Sequence, residues 1–418
     1  MKVLWITNIV FPEARHYLTN KASDWCQSGG WMLGAAESLV CNKEIQLAIA
    51  SPSVLVKKLE VIKGKDIEYF VFPLGRGNTH INSEYKQYWR DIVDLFHPDV
   101  IHIYGTEYSH GLAYVDVYGS NNVVVSIQGM TSAYRYYYSG LTKSTIRKNL
   151  TFRALLKGNI LKAYRCFKAR SVYEKQLLLK TQHVIGRTTW DRAQTWAINP
   201  KLEYHLCNEI LRKEFYVGRW DYDHCKKHSI FLSQANYPIK GLHMLLQALP
   251  LILRHYPNTT VRIAGDNIVR SSSFIDRLKA SDYSKIIRRM IRKNNLNDII
   301  YFTGPLDAAQ MKQEYLNTNV FVCPSSIENS PNSVGEAQLL GVPIIASYVG
   351  GIPDMMKEEE NCLYRFEDVE MLAWEICTAF EKTKEYDNRL ARQRAHERHD
   401  SQVNTKRLIE IYNSIISL

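Results

Sequence analysis

Short apolar runs of strand length alternate with amphipathic, helix-like stretches along almost the whole chain of 418 residues. This alternation is typical of parallel α/β sheets, in which a helix crosses from each strand to the next. The strands predicted in the first half are Lys2–Asn8, Ile45–Ser51, Ile67–Phe72, Val100–Tyr104, Val123–Ile127 and His183–Gly186. Those predicted in the second half are Ser229–Ser233, Thr260–Ala264, Ile299–Thr303, Val320–Cys323 and Pro343–Ser347. The pattern therefore predicts two doubly wound domains.

A polar and aromatic segment without helical or strand period, residues 216–228, marks the predicted hinge. The first domain then covers residues 1–215 and the second covers residues 229–399. We expect the final stretch, residues 400–418, to form a helix that crosses back to the first domain. Ligands of such sheets bind beyond the carboxyl ends of the strands, so a ligand cleft is expected between the domains.

The net charge of +11 is concentrated in residues 141–180, which the prediction assigns to the first domain. This segment contains eleven basic residues and one acidic residue, Glu174. Apolar residues recur among them at roughly helical spacing. The pattern is typical of a basic amphipathic helix on an anionic membrane surface. It is equally typical of a solvated helix whose apolar stripe packs on its own domain. No nucleic-acid-binding motif accompanies the charge, so a nucleic-acid partner is not expected.

Eight cysteines are scattered along the chain without metal-ligand spacing, which indicates reduced thiols in a cytosol and no cysteine metal site. No window approaches the roughly 20 apolar residues of a spanning helix. We therefore expect a cytoplasmic protein whose contact with the inner face of the cell membrane, if it has one, is peripheral.

The stretch from Phe321 to Pro353 reads as a strand, a loop with Glu328, a helix start with Glu336, a second strand and a loop with Gly350-Gly351. Carboxylates are strong acceptors for sugar and ribose hydroxyls, and backbone N–H groups near glycines suit phosphates. Glu336 has a second interpretation, because Ser333-Val-Gly-Glu336 also fits a helix capping box.

The Glu-x7-Glu spacing, the preceding Pro-Ser and the trailing Gly-Val-Pro-Ile-Ile-Ala-Ser…Gly-Gly-Ile-Pro resemble the donor-site signature of glycosyltransferase family 4. The resemblance covers nearly the whole chain. It implies the GT-B fold, with two Rossmann-like parallel-sheet domains facing a central cleft. It also implies a retaining, metal-independent transferase without a cofactor.

By this resemblance, Glu328 and Lys240 take part in catalysis, Glu328 at the transferred sugar and Lys240 at the diphosphate. Glu336 would bind the ribose. The other donor-binding residues that the resemblance implies are Gly265, Asp266, Asn332, Ser333, Gly350 and Gly351.

The chain departs from the family pattern in three places, which are Ala235, Gln128 and the first loop with Ser28-Gly29-Gly30. Ala235 stands where the family usually has an arginine, and Arg187 is a candidate substitute at the diphosphate. Gln128 stands where many members have a histidine facing the sugar, and an amide cannot exchange a proton. The other acceptor or sugar-facing candidates are Gly29, Gly30, Glu107 and His110.

The function that the resemblance implies is transfer of a hexose from a UDP- or GDP-linked donor to a glycan or polyprenyl-linked acceptor in surface polysaccharide biosynthesis. Two alternatives remain open. A nucleotide-sugar 2-epimerase shares the architecture, and Ala235 with Gln128 also fits a non-catalytic subunit that binds a sugar nucleotide.

Overall fold

The computed structural model describes residues 1–20, 30–75, 83–137, 140–270, 273–356 and 362–417. The chain divides into two compact units. The first contains residues 1–133, 166–211 and 399–418, and the second contains residues 134–165 and 212–398.

Each unit has one sheet, and all eleven predicted strands are present with ends shifted by a few residues at most. The strands of the first unit are β1 (Lys2–Ile6), β2 (Gln46–Ser53), β3 (Glu60–Lys63), β4 (Ile67–Pro73), β5 (Val100–Tyr104), β6 (Val123–Ser126), β7 (His183–Gly186) and β8 (Glu203–Leu206). Those of the second unit are β9 (Lys226–Leu232), β10 (Thr260–Ile263), β11 (Ile300–Phe302), β12 (Thr318–Cys323), β13 (Ile344–Ser347) and β14 (Cys362–Tyr364). The prediction missed β3, β8 and β14.

Helices follow most strands, as a doubly wound chain requires. In chain order they begin with α1 (Pro12–Thr19), α2 (Gly30–Val40), α3 (Ser83–Phe96), α4 (Ser109–Tyr118), α5 (Thr131–Tyr137), α6 (Lys143–Lys148), α7 (Phe152–Lys157), α8 (Ile160–Lys180) and α9 (Thr189–Ile198). They continue with α10 (Leu242–His255), α11 (Phe274–Lys279), α12 (Asp282–Lys293), α13 (Ala308–Asn317), α14 (Asn332–Leu340), α15 (Ile352–Met355), α16 (Val369–Lys382), α17 (Arg389–Arg398) and α18 (Ser401–Ile416). No helix in the described part of the chain is both long enough and apolar enough to cross a membrane.

The first sheet has the strand order β3-β4-β2-β1-β5-β6-β7-β8, and only the β3–β4 pairing is antiparallel. β1 is central and buried on both faces: Val3 and Trp5 join one apolar cluster, while Leu4 and Ile6 join another. The C-terminal helix α18 belongs to this unit, where the Tyr412 hydroxyl accepts a hydrogen bond from Trp5 Nε1 at 3.0 Å.

The second sheet has the order β11-β10-β9-β12-β13-β14, and all its pairings are parallel. Numbered within the unit, this is the 3-2-1-4-5-6 order of dinucleotide-binding sheets. One face of β9 and β12 packs on α10, α12 and α16, and the other carries Phe231 and Phe321 against Tyr315. The prediction of two parallel-sheet α/β domains is confirmed.

Residues 134–165 group with the second unit, whereas the sequence analysis assigned the whole basic segment 141–180 to the first domain. The physical reason is packing: Ile146 and Ile160 are buried in the apolar cluster around α10 and α12. The Ile160 N–H also donates to Asp282 Oδ2 at 2.9 Å. The first turns of α8 therefore belong to one unit, and the rest of this helix belongs to the other.

Candidate functional site

The loop that follows β12, residues 324–331, is held between two glycines of the second unit. Gly241 and Gly350 both have positive φ angles, +72° and +52°. A Cβ at Gly241 would lie 1.5 Å from the Pro324 carbonyl oxygen, and one at Gly350 would lie 1.8 Å from the Glu328 carbonyl oxygen. The Gly351 N–H donates to that same Glu328 carbonyl at 3.1 Å. Only glycine fits at both positions, so these glycines fix the backbone that presents Glu328.

Lys240 and Glu328 form an ion pair with Nζ and Oε1 2.6 Å apart. Lys240 ends a 3-10 turn between β9 and α10, and the Ser325 hydroxyl donates to the same Glu328 oxygen at 2.7 Å. Burial opposes the charge on Lys240, but the Glu328 carboxylate outweighs burial and holds the pKa of Lys240 above its ordinary value. Lys240 is therefore a fixed ammonium group at neutral pH.

This pair lies at the topological switch point of the second sheet. β9 has β10 on one side and β12 on the other, so the chain winds outward in both directions from the β9–β12 pairing. Lys240 follows the carboxyl end of β9, and Glu328 follows that of β12. Open α/β sheets bind their ligands at this point.

Glu336 pairs with an arginine that the sequence analysis did not identify. Its Oε1 accepts hydrogen bonds from Arg212 Nε at 2.9 Å and Nη2 at 2.7 Å. Burial raises the pKa of Glu336, although Arg212 acts in the opposite direction. No local sequence pattern could have joined two residues 124 positions apart. The only general signal is that a buried carboxylate needs a partner.

The capping-box interpretation of Ser333 and Glu336 is wrong. α14 begins at Asn332, and its N-cap residue, Pro331, makes no side-chain capping hydrogen bond. Asn332 and Ser333 instead occupy its first turn, where backbone N–H groups have no partner within the helix. The Ser333 carbonyl accepts a hydrogen bond from the Tyr315 hydroxyl at 3.0 Å.

The two glutamates share one arrangement. In each, Oε1 takes two hydrogen bonds from protein groups, and Oε2 accepts none from any residue that the structure describes. Each carboxylate is thus fixed by one oxygen and keeps acceptor capacity on the other. Such a group can bind ligand hydroxyls without first breaking a protein contact.

Gly265 and Asp266 follow β10, next to β9, so they lie at the same edge of the sheet as Lys240. Gly265 has a φ of +104°, and its N–H donates to the Gly304 carbonyl at 3.0 Å. Asp266 is exposed. Ala235 is fully buried in the core, so this position as it stands offers no room for the family's arginine.

In the first unit, Arg187 is buried, and both of its terminal nitrogens contact protein groups. Its Nη2 lies 2.7 Å from Glu209 Oε1, and its Nη1 donates to the Ile127 carbonyl at 2.5 Å. The guanidinium also covers the Trp31 ring, with 5.4 Å between Cζ and the ring centroid. Glu209 thus balances the positive charge of Arg187, the residue that the sequence offered as a substitute cation at the diphosphate.

Gln128 and the start of α2 come together in the first unit. The Gln128 amide donates weakly to Met32 Sδ at 3.9 Å, and α2 begins at Gly30. Gly29 lies outside the described residues. Gln128 follows the carboxyl end of β6, and Gly30 is the first residue of α2.

Glu107 and His110, both predicted to face the acceptor, differ in their surroundings. Glu107 Oε2 is buried without a hydrogen-bond partner among the described residues. Burial, with a smaller contribution from Glu174, raises the pKa of Glu107 to about 7. His110 is only 4% exposed, and burial lowers its pKa to about 4. Its neutral ring stacks on Tyr108, so the structure gives His110 a packing position and does not support acceptor contact.

Residues 219–396 match the family model described as Glycosyl transferases group 1. These residues form a glycosyl transferases group 1 domain. It contains Lys240, both glutamates and the glycines of the loop.

Similarity to curated proteins is confined to part of the chain. Spore coat protein SA of Bacillus subtilis is 30% identical over 158 residues, which are 37% of this chain and 39% of that protein. D-inositol 3-phosphate glycosyltransferase of Corynebacterium urealyticum is 24% identical over 183 residues, 42% of this chain and 41% of that protein. The chain therefore spans less than half the length of these relatives.

Similarity in structure covers the whole chain. Sucrose-phosphate synthase from Thermosynechococcus elongatus matches with a TM-score of 0.71 at 16% identity, over 100% of this chain and 99% of that one. HepE of Anabaena, solved in complex with UDP and glucose, matches with a TM-score of 0.65 at 15% identity, over 99% and 100%. At these identities the likeness shows the fold, which is GT-B-like.

Proposed function

We propose that this chain is a retaining glycosyltransferase of family 4 that transfers a hexose from a nucleotide sugar to a glycan or polyprenyl-linked acceptor. The observation that carries the proposal is the Lys240–Glu328 pair at the switch point of the second sheet, on a loop fixed by Gly241 and Gly350. The glycosyl transferases group 1 domain covers this site. The donor is UDP- or GDP-linked, and the UDP complex of the structurally similar HepE supports the first of these.

In this proposal the second unit binds the donor through three charged groups. Lys240 contacts the diphosphate, since an ammonium has three donors and only one is used by Glu328. Glu328 Oε2 accepts from hydroxyls of the transferred sugar, and Glu336 Oε2 accepts from the ribose. The first turn of α14 and Gly350-Gly351 supply backbone N–H groups. Arg187 is left out of the donor site because Glu209 balances its charge.

Catalysis would be mostly electrostatic and would need no metal. The acceptor hydroxyl attacks the anomeric carbon from the face that the nucleotide leaves. The new C–O bond forms as the bond to the phosphate oxygen breaks, and the departing nucleoside diphosphate takes the hydroxyl proton. Negative charge grows on the diphosphate during this step, and Lys240 is already positioned to stabilise it.

One assay separates transfer from the two alternatives. The purified chain is offered a panel of UDP and GDP sugars with and without membrane extract, and nucleotide release and products are followed by mass spectrometry. Release that depends on the extract is the expected result. An isomerised donor would instead support a 2-epimerase, and binding without turnover would support a non-catalytic subunit.

A peripheral membrane contact belongs to the same proposal and is confined to part of the basic segment. α7 exposes Phe152, Leu155 and Leu156, which are 58%, 72% and 68% exposed. Exposed basic side chains in the same unit surround them in sequence: Lys143, Arg147, Lys148, Lys157 and Lys162. Apolar side chains flanked by cations suit the surface of an anionic bilayer, where a lipid-linked acceptor is found. The cytoplasmic face of the cell membrane is the proposed location.

Vesicle co-sedimentation tests this contact. The chain should sediment with phosphatidylglycerol vesicles at low salt, less at high salt, and little with phosphatidylcholine alone. Replacing Phe152, Leu155 and Leu156 with serine should abolish sedimentation. Trp374→Ser, which removes a side chain of similar exposure on α16, is the control and should leave it unchanged. Equal sedimentation of both variants would exclude α7 as the contact.

A further inference from the structure

His183, Glu203 and His205 form a cluster on the last two strands of the first sheet. His183 is the first residue of β7, and Glu203 and His205 lie on the edge strand β8. The two histidines are buried, whereas the Glu203 side chain is 60% exposed.

Strand geometry explains why these side chains meet. β7 and β8 are parallel, and their register sets His183 opposite Glu203 and Ile185 opposite His205. Residues two apart on a strand point to the same face, so Glu203 and His205 share a face and His183 lies beside them on the neighbouring strand. The sequence separates the histidines by 22 positions, so no metal-ligand spacing is visible there.

One nitrogen of each histidine and the carboxylate of Glu203 are spaced as the ligands of one small cation would be. His183 Nδ1 lies 3.2 Å from His205 Nε2 and 3.4 Å from Glu203 Oε2, and His205 Nε2 lies 3.8 Å from Glu203 Oε1. A tetrahedral zinc ion with ligand bonds of about 2.0–2.1 Å has ligand atoms about 3.3–3.4 Å apart. We propose that His183, Glu203 and His205 form a zinc site that fastens the edge strand β8 to β7.

Two imidazoles and a carboxylate are ligands that Zn²⁺ accepts readily, and the exposed side of Glu203 leaves the fourth position to water. The site would be structural. It lies at the amino end of β7, whereas Arg187 follows the carboxyl end, where sheets of this kind bind their ligands. The proposal is therefore independent of the proposed transferase activity, which needs no metal.

Two features of the cluster limit its affinity. His183 Nε2 is buried without a hydrogen-bond partner among the described residues, so it lacks the acceptor that usually orients a ligating histidine. Loss of that support typically costs about 10–100-fold in affinity. Arg407 adds positive charge near His205, although its guanidinium also pairs with Glu410 at 3.4 Å. We expect micromolar rather than nanomolar binding.

A competing explanation needs no metal. One ring N–H donating to the other ring nitrogen would also give the 3.2 Å contact between the histidines. In that case Glu203 is an ordinary exposed carboxylate. The two explanations differ in what removal of Glu203 does to zinc binding.

The test is a zinc titration of the full-length protein by calorimetry, with ZnCl₂ as the only ligand. The wild-type chain should bind about one zinc ion, because the three residues form a single site. Glu203→Gln should weaken binding by about tenfold or more, because it removes a charged ligand. His205→Ala should abolish this binding, and His255→Ala, which removes an exposed histidine at the end of α10, should leave it unchanged.

Bound zinc should also raise the thermal unfolding midpoint of the wild type and of His255→Ala, but not that of His205→Ala. If His205→Ala does not fold, Glu203→Gln still decides, because its side chain is exposed. Zinc binding that is equal in the wild type and Glu203→Gln would overturn the proposal, as would no binding at all. Equal binding would assign the zinc to other side chains, such as the exposed thiol of Cys41.

Discussion

The two units share a doubly wound topology but hold their polar groups differently at the switch points of their sheets. In the second unit, Lys240 and Glu328 pair on a loop whose backbone is fixed by glycines, and the carboxylate keeps one oxygen open. In the first unit, Glu107 follows β5 at the corresponding place with a buried oxygen that has no partner among the described residues. One site is built by paired charges on a rigid loop. In the other, burial makes the charge on Glu107 unfavourable.

The largest expected effect comes from crowding the rigid loop. Gly241→Ala would add a Cβ 1.5 Å from the Pro324 carbonyl, so the loop or α10 must move. We expect a loss of about 3–5 kcal/mol in the free energy of unfolding, measured by urea denaturation. Gly304→Ala is the matched control. Its φ of +78° is close to the +72° of Gly241, but nothing lies within 4 Å of the added atom, so only the backbone strain of about 1–2 kcal/mol remains. Equal losses in the two variants would mean that the loop is not held by this contact.

The next test compares the arginine–glutamate pairs of the two units. Arg187 and Glu209 are both buried, so Arg187→Met should destabilise the protein by about 3 kcal/mol and leave donor affinity nearly unchanged. Arg212 is 27% exposed, so Arg212→Met should destabilise by less, about 2 kcal/mol. It should nevertheless weaken donor binding, because Glu336 loses the group that orients it. Donor titration calorimetry with each variant measures this difference. If Arg187→Met weakens donor binding as much as Arg212→Met does, Arg187 belongs to the donor site after all.

A smaller effect should follow from the carboxyl group of Glu107. Its pKa is raised from 4.5 to about 7, so the folded protein retains a proton that the unfolded chain releases between these values. The contribution of this proton to the free energy of unfolding is fully present below pH 4.5 and is lost as the pH rises through 7. Glu107→Gln mimics the protonated group. It should leave the unfolding free energy at acidic pH unchanged and raise it at pH 8 by on the order of 3 kcal/mol.

Thermal unfolding of Glu107→Gln and wild type across this pH range tests the prediction. Glu44→Gln, which changes an exposed carboxylate of the same unit, serves as the control and should show no such pH dependence. A Glu107→Gln variant that is less stable than wild type at pH 8 would contradict the burial of a partnerless Oε2.

The strands that sequence reasoning found and missed differ in burial. β9 and β12 lie in the middle of a sheet and each ends in a buried apolar run, so their pattern is visible directly. β8 and β14 are short edge strands: β8 is half exposed and mixes polar with apolar residues, and the apolar run of β14 is only three residues long. Edge strands form because a neighbour pairs with them, which single-sequence patterns do not record.

The site residues divide in the same way. Glu328, Glu336 and Gly350 could be predicted because they lie within one continuous stretch of strand, loop and helix. Arg212 could not, because its pairing with Glu336 exists only in the folded chain. The prediction of a capping box at Ser333 was wrong for a local reason. α14 begins at Asn332, directly after Pro331, so Ser333 already lies inside the helix and cannot cap it. Lys240 was predicted as a diphosphate ligand, and its pairing with Glu328 adds that the ammonium is oriented before any donor arrives.

The central claim is that this oriented ammonium stabilises charge on a departing diphosphate, and Lys240→Ala tests it most directly. In the assay for acceptor-dependent transfer, turnover should fall by more than about tenfold, which corresponds to about 1.4 kcal/mol. Circular dichroism should confirm a folded protein. Lys293→Ala, which removes an exposed lysine in the last turn of α12, should keep wild-type turnover. Turnover of Lys240→Ala that stays within about tenfold of wild type would contradict the claim.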